Sequence, residues 1–342
     1  MTDRIAVGVI GCGFFAQNHL HSWQHLAAQG ADLVAVCDVD AAKAKAVAEQ
    51  LRVPRWYGDA AAMFAQEKLG LVDIVTRMDT HRALVDLAIA HRVATIVQKP
   101  FAPDIATCKA MESAARQAGI FLAVHENFRF QRPLMEAKKV LESGAIGKPN
   151  WARISFRTGY DIYKGQPYLL NEERMILLDL GVHVLDVARF YLGEVDHLSA
   201  ETQRRNPRVR AEDTATVLVK HQAGAVSVVE CTYESRRLPD AFPETLIEIE
   251  GDRGGIALRP GPVLEVTSDG KLTTGDVDAA VLPWAARPWH VVQDSVFNTC
   301  AHMLAAVKAG RDAATSATDN LKTFALCEAA YESMSTGRAV KL

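Results

Sequence analysis

The feature that most limits what this chain can fold into is a glycine turn close to its start. Residues 5–10 (IAVGVI) form a short, largely β-branched run that passes straight into Gly11-Cys12-Gly13-Phe14-Phe15-Ala16. Each small residue in this Gly-x-Gly-x-x-Ala pattern has a task. Gly11 permits a tight turn, Gly13 lets a pyrophosphate approach the backbone, and Ala16 lets the following helix pack close to the strand. The amides at the helix start then face the phosphates. The pattern carries weight only between a strand and a helix, which is where it stands here. Downstream, Leu33-Val34-Ala35-Val36-Cys37 reads as the next strand and ends at Asp38. A carboxylate there accepts hydrogen bonds from the adenosine ribose. Asp38 alone would equally serve as a helix cap; together with the turn it favours a dinucleotide site. Val39-Asp40 follows, with no Arg or Ser to receive a 2′-phosphate, so NAD is expected over NADP. Lys43 and Lys45 are the features that soften that preference. Gly11, Gly13, Phe14, Phe15 and Asp38 are the first candidate cofactor contacts.

The segments that follow alternate in type. Strands are predicted at 72–76, 95–98 and 120–124, with helices at 14–28, 39–51, 82–91 and 104–117. Such alternation predicts a doubly wound parallel sheet with right-handed crossovers. After about residue 124 the rhythm changes. A helix at 134–143 precedes longer stretches with period-two alternation at 151–157, 214–221, 225–233 and 245–251. These predict an open, mostly antiparallel sheet with one buried face. Further helices are expected at 176–192, 294–309 and 318–336. The expected fold is therefore α/β: an N-terminal NAD-binding Rossmann domain over 1–124, then a substrate-binding and oligomerisation domain over 125–342. A length of 342 residues already exceeds what one compact core usually holds.

Several classes are disfavoured. Lys+Arg 38 against Asp+Glu 41 gives a net charge of -3, and no basic block stands out, so neither nucleic acid nor an anionic membrane is an expected partner. No run of about 18 apolar residues exists to span a membrane. Met1-Thr2-Asp3-Arg4-Ile5 leads directly into the first strand rather than into an apolar leader, so a cytoplasmic location is expected. Cys12, Cys37, Cys108, Cys231, Cys300 and Cys327 are scattered, with no CxxC pair. They read as buried thiols in a reducing compartment, and no metal site is expected.

Four further segments, in order, carry a family resemblance. Val72-Asp73-Ile74-Val75-Thr76-Arg77-Met78-Asp79-Thr80-His81 resembles a strand ending in A-T-P-x-x-x-H. Val97-Gln98-Lys99-Pro100 resembles E-K-P. Val124-His125-Glu126-Asn127-Phe128-Arg129-Phe130 resembles the opening of a second domain. Leu178-Asp179-Leu180-Gly181-Val182-His183-Val184-Leu185-Asp186 matches D-x-G-x-H-x-x-D. Over essentially its full length the chain resembles the Gfo/Idh/MocA oxidoreductases. On a helix Asp179 and His183 lie four residues apart on one face, and a histidine beside a carboxylate suits proton abstraction near neutral pH. The resemblance implies that His183 takes the substrate hydroxyl proton as hydride leaves for the nicotinamide. It also implies that Asp179 orients the imidazole or binds a neighbouring hydroxyl. Lys99, at the carboxyl end of the parallel sheet where open α/β sheets bind ligands, is implied to hydrogen-bond the reacting hydroxyl and touch the cofactor, with a cis bond to Pro100. Thr76 and His81 are implied cofactor neighbours.

The chain departs from the family pattern at Gln98, which replaces the usual Glu, and at Arg77-Met78, where Pro-Asn is common. Glu173-Arg174-Met175-Ile176 stands where Gly-Gly is usual, which brings Arg174 forward as a pocket residue. Asn127, Arg129 and Tyr160 complete the candidate substrate contacts, while Trp284, Trp289 and His290 suggest a lid or a subunit contact. The leading expectation is an NAD-dependent dehydrogenase acting on C1 of a cyclic aldose, such as a xylose- or apiose-like pentose, or on a polyol or inositol hydroxyl. The alternatives are a redox-neutral NAD-dependent glycoside hydrolase and a non-catalytic NAD sensor. The resemblance further implies a homodimer or homotetramer built through the second sheet.

Overall fold

Two sheets organise the chain. The structure, a computed structural model, describes residues 4–342; Met1, Thr2 and Asp3, on which part of the expectation about a leader rests, lie outside the described residues. The first sheet holds β1 (Ile5–Ile10), β2 (Ala31–Cys37), β3 (Arg55–Tyr57), β4 (Leu71–Ile74), β5 (Ala94–Gln98) and β6 (Leu122–His125). Their order is β3-β2-β1-β4-β5-β6 and every pairing is parallel, the doubly wound arrangement expected. Between them run α1 (Ala16–His25), α2 (Ala41–Leu51), α3 (Ala60–Gln66), α4 (His81–Ala90) and α5 (Ile105–Ala118). Asp40, Asp59 and Asp104 cap α2, α3 and α5 by accepting backbone N–H bonds, which is why these helices start where they do.

The second sheet holds β7 (Pro149–Arg157), β8 (Val195–Gln203), β9 (Thr214–His221), β10 (Val226–Thr232), β11 (Leu246–Gly251), β12 (Gly254–Arg259), β13 (Val263–Ser268), β14 (Lys271–Asp276) and β15 (Val340–Lys341). Only β10 with β7 is parallel; the other pairings are antiparallel. Four helices accompany it in sequence: α6 (Arg132–Glu142), α7 (Val182–Leu192), α8 (His290–Lys308) and α9 (Ala317–Thr336). No helix among the described residues is long and apolar enough to cross a membrane.

The chain separates into two compact units, and here the expected boundaries need correction. One unit comprises residues up to Glu126 together with Val296–Lys322; the other comprises Asn127–Ser295 and Thr323–Leu342. The change near 124 is close to the expected one. Residues 296–322, assigned from sequence to the second domain, belong to the first. The reason is burial: Val296, Cys300, Met303 and Leu304, spaced along one face of α8, pack into the same apolar cluster as Val7, Val9, Trp23 and Ile96. Thr315 then clamps β6, its hydroxyl donating to the Val124 carbonyl while its own carbonyl accepts the Val124 N–H.

Candidate active site

In the first unit, the register of the parallel sheet sets Ile10, Ile74 and Val97 level with one another. The residues that follow each strand therefore emerge at one carboxyl edge. Gly11 has φ +103°, and a Cβ there would stand 2.3 Å from the Val75 carbonyl oxygen, so no other residue fits this turn. Gly13 is exposed, and a Cβ on it would meet nothing within 4 Å. The space a phosphate needs is thus open above the backbone. No side chain caps α1 at Phe15 and no acidic residue stands in its first turn, which leaves the helix start suited to an anion. Phe14 is 59% exposed beside the turn, and Phe15 is half-buried.

Asp38 is fixed beneath that turn. Its Oδ2 accepts the Cys12 N–H at 2.8 Å and its Oδ1 accepts the Asp40 N–H at 2.9 Å. The Lys43 ammonium stands 4.0 Å away. The carboxylate is thus built into the turn rather than hung from a helix start, while Asp40 does the capping of α2. These features fit a dinucleotide with free ribose hydroxyls.

Lys99 follows β5 with a cis bond to Pro100, as expected. The Gln98 side chain accepts the Lys99 backbone N–H at 3.0 Å, a task an amide performs as well as the carboxylate it replaces. Thr76 shares a hydrogen bond with Thr80 at 2.7 Å. His81 is fully buried; Nδ1 faces the Phe101 carbonyl at 3.1 Å and Nε2 the Thr76 carbonyl at 3.2 Å. Both ring nitrogens are turned to backbone, so His81 ties the loop after β4 to the Lys99-Pro100-Phe101 loop.

In the second unit, the continuous α-helix expected over 176–192 is interrupted. Leu177–Gly181 form a π-helical turn before α7 begins at Val182. Such a turn shifts the helical phase and is common at functional sites, so the simple four-residue facing of Asp179 and His183 does not apply. What the structure adds is Tyr233, directly after β10, whose hydroxyl donates to Asp179 Oδ2 at 2.7 Å. Burial and the neighbouring Asp179 push that phenol well above its ordinary value, so it remains a donor. The Phe128 ring lies flat on the His183 imidazole, centroids 3.9 Å apart and planes 4° apart, which fixes the plane of the imidazole. Both Asp179 and His183 are buried. Sequence reasoning passed over Tyr233 and Phe128; the available signal was a tyrosine closing a period-two strand.

The remaining substrate candidates divide. The Arg129 guanidinium grips Asp186 with both Nε (2.6 Å) and Nη2 (2.5 Å), and Asp186 also accepts from Thr323 at 2.8 Å. Arg129 and the last Asp of the D-x-G-x-H-x-x-D segment thus form a buried ion pair. Asn127 is likewise buried and donates to Ser295 at 2.6 Å. Arg174 pairs with Glu328 at 2.7 Å and lies 4.1 Å over the Tyr331 ring. Tyr160 stacks on Phe242 at 4.0 Å with its edge toward Trp289 at 5.6 Å, which gives Trp289 a partner. His290 bonds Asp278 at 2.8 Å.

Residues 5–126 match the family GFO_IDH_MocA, described as an oxidoreductase family with an NAD-binding Rossmann fold, and residues 134–257 match the GFO/IDH/MocA C-terminal domain. The chain is 49% identical to a D-apiose dehydrogenase of Rhizobium rhizogenes over 334 residues, covering 98% of this chain and 96% of that protein. It is 44% identical to a D-apiose dehydrogenase of Paraburkholderia graminis over 339 residues, covering 99% and 90%. An oxidoreductase from Agrobacterium radiobacter, crystallised with NAD+, L-tartaric acid and magnesium, superposes with a TM-score of 0.97 at 49% identity, covering 99% of this chain and 98% of that one.

Proposed function

The chain belongs to the Gfo/Idh/MocA oxidoreductase family with its NAD-binding Rossmann fold, and we propose that it oxidises D-apiose, a branched five-carbon aldose, at its anomeric carbon. The observation that carries this reading is the near-complete, 49% likeness to a D-apiose dehydrogenase. The paired Tyr233–Asp179 and the Phe128-stacked His183 support it.

In this reading Gly11, Gly13 and the start of α1 receive the pyrophosphate, and Asp38 the adenosine ribose hydroxyls. The Asp38 charge opposes a 2′-phosphate, which favours NAD. When bound, NAD supplies the acceptor for the hydride that leaves the anomeric carbon. His183 takes the proton of the anomeric hydroxyl, so the ring carbon becomes the carbonyl of a lactone. Lys99 hydrogen-bonds that oxygen and steadies the charge that develops as the proton leaves. Asp179, held by the Tyr233 hydroxyl, binds a neighbouring hydroxyl or orients the imidazole, and Phe128 keeps the imidazole from turning.

Two coarser features belong to the same reading. We place the protein in a reducing, cytoplasmic setting, which its six buried cysteines suit. We also assign it a homodimeric or homotetrameric state built on the second sheet, where Leu218 of β9 is 53% exposed; sedimentation of the purified chain as a monomer would remove this part.

The test is NADH formation with D-apiose, D-xylose, D-glucose and myo-inositol. D-Apiose should give the highest kcat/KM. A higher value for myo-inositol would replace the substrate. No NADH from any of them, with NAD still retained, would favour a redox-neutral hydrolase or a sensor.

A further inference from the structure

The dinucleotide-binding unit buries a set of polar side chains that its cofactor turn does not use. His19 lies on α1, Asp73 on β4, His125 at the end of β6 and Cys300 on α8, and all four are 0% exposed. Buried polar atoms normally have partners, since leaving them bare is costly. In this cluster the partners run out. Asp73 Oδ2 accepts from His19 Nδ1 at 2.8 Å and from the Trp23 indole at 2.7 Å. His125 Nε2 stands 3.7 Å from Cys300 Sγ. Asp73 Oδ1, His19 Nε2 and His125 Nδ1 have no hydrogen-bond partner among the described residues.

A neutral imidazole nitrogen that no other group holds can serve as a metal ligand, and among the described residues His19 Nε2 and His125 Nδ1 take part in no hydrogen bond. The two rings lie 4.1 Å apart between centroids at 42°. One donor atom from each of His19, His125 and Cys300 lies within 4.8 Å of the other two. Two imidazoles and a sulfur converging in a buried interior form a ligand set for a borderline-soft transition ion. A carboxylate on the far nitrogen of a histidine is the partner that orients such ligands, and Asp73 occupies that place on His19.

We propose that His19, His125 and Cys300 together bind one divalent ion of the zinc class within the Rossmann unit, with Asp73 as the orienting partner of His19. Charge selects the valence. Neutral imidazoles, a Cys300 thiolate and the Asp73 carboxylate carry two negative charges, which one divalent ion cancels and a monovalent one does not. On binding, the Cys300 thiol proton passes to solvent as the metal–sulfur bond forms. The ligands come from α1, β6 and α8, so the ion would fasten residues 296–322 to the helix that follows the glycine turn. Because the ligands stand at positions 19, 125 and 300, no spacing motif reveals them in sequence.

The test uses full-length protein stripped with a chelator and titrated with Co2+, whose spectrum reports thiolate ligation, then with Zn2+. The expected result is one Co2+ per chain with a thiolate-to-cobalt charge-transfer band that Zn2+ removes, and a higher Tm with Zn2+ than without. Cys300→Ser should abolish the band and Asp73→Asn should weaken binding about 10–100-fold, while Cys108→Ser should bind as wild type. If Cys300→Ser fails to fold, as judged by circular dichroism, the wild-type spectrum still decides. Cobalt bound without the band, a band that persists in folded Cys300→Ser, or far less than one ion per chain would overturn the proposal. None of these readings uses turnover, so they are independent of the substrate assignment.

Discussion

Tyr233 donates a 2.7 Å hydrogen bond to Asp179 Oδ2, joining the residue that follows β10 to the π-helical turn that precedes His183. A phenol held above its ordinary value by burial and by this carboxylate is a fixed donor, and it sets where the Asp179 charge sits. Tyr233→Phe removes only the hydroxyl. A hydrogen bond to a charged group contributes about 1.5–3 kcal/mol, so kcat should fall about 10–100-fold. Steady-state kinetics and near-native Tm would check this; an unchanged kcat would deny Tyr233 a positioning role.

Asp38 accepts the Cys12 N–H at 2.8 Å and so serves the turn as well as the ribose. Asp38→Asn keeps an acceptor for that amide but removes the charge. The variant should bind NAD more weakly, by about tenfold for the loss of one charged hydrogen bond, and should narrow the gap to NADP. Fluorescence titration with both dinucleotides measures the two constants. Tighter NADP than NAD binding by the wild type would contradict the reading of Asp38.

Arg129 and Asp186 form a buried two-pronged ion pair. Removing one partner of such a pair costs about 3–5 kcal/mol, whereas replacing both by apolar residues of similar size is often mild. Arg129→Met should therefore lower Tm sharply, and Arg129→Met with Asp186→Leu should recover much of the loss. A variant that kept wild-type Tm but lost substrate affinity would return Arg129 to the substrate.

His81 gives a pH dependence. Burial lowers its proton affinity in the folded state, against the smaller opposing pull of the Phe101 and Thr76 carbonyls. Below the ordinary histidine value of about 6.5 the unfolded chain takes up a proton that folded His81 resists. Stability is thus retained above that pH and lost below it, at up to about 1.4 kcal/mol per pH unit for one group. Thermal melts from pH 8 to pH 5 should show the decline, and His81→Gln should make it shallower. Parallel curves for the two proteins would exclude the assignment.

Much of this arrangement is legible in the chain itself. The Gly11–Ala16 turn, Asp38 and the alternating strand and helix segments are local patterns, and a parallel sheet translates them into one carboxyl edge without further information. Lys99-Pro100 and the D-x-G-x-H-x-x-D segment are local in the same sense. What escaped is non-local. The pairing of Arg129 with Asp186 spans the opening of the second unit and α7, and an arginine in a polar stretch looks the same whether it meets substrate or a buried aspartate. Tyr233 reaches Asp179 only because β10 lies beside the π-helical turn. The π turn has no distinct composition, so a helical period read straight through it. Residues 296–322 looked like second-domain helix because their apolar face does not announce which core it enters. β3, β8, β12, β13, β14 and β15 were missed: β3 and β15 hold three and two residues, and the others lack a clear alternation of apolar and polar residues.

The proposed general base is His183, and its role is read from the rate of NADH formation from NAD and D-apiose by wild type and by His183→Ala. General base catalysis commonly contributes about 10²–10⁴-fold. The alanine variant should lose kcat by that factor with NAD affinity unchanged. Wild-type turnover by the alanine variant, or no oxidation of D-apiose by the native protein, would contradict it.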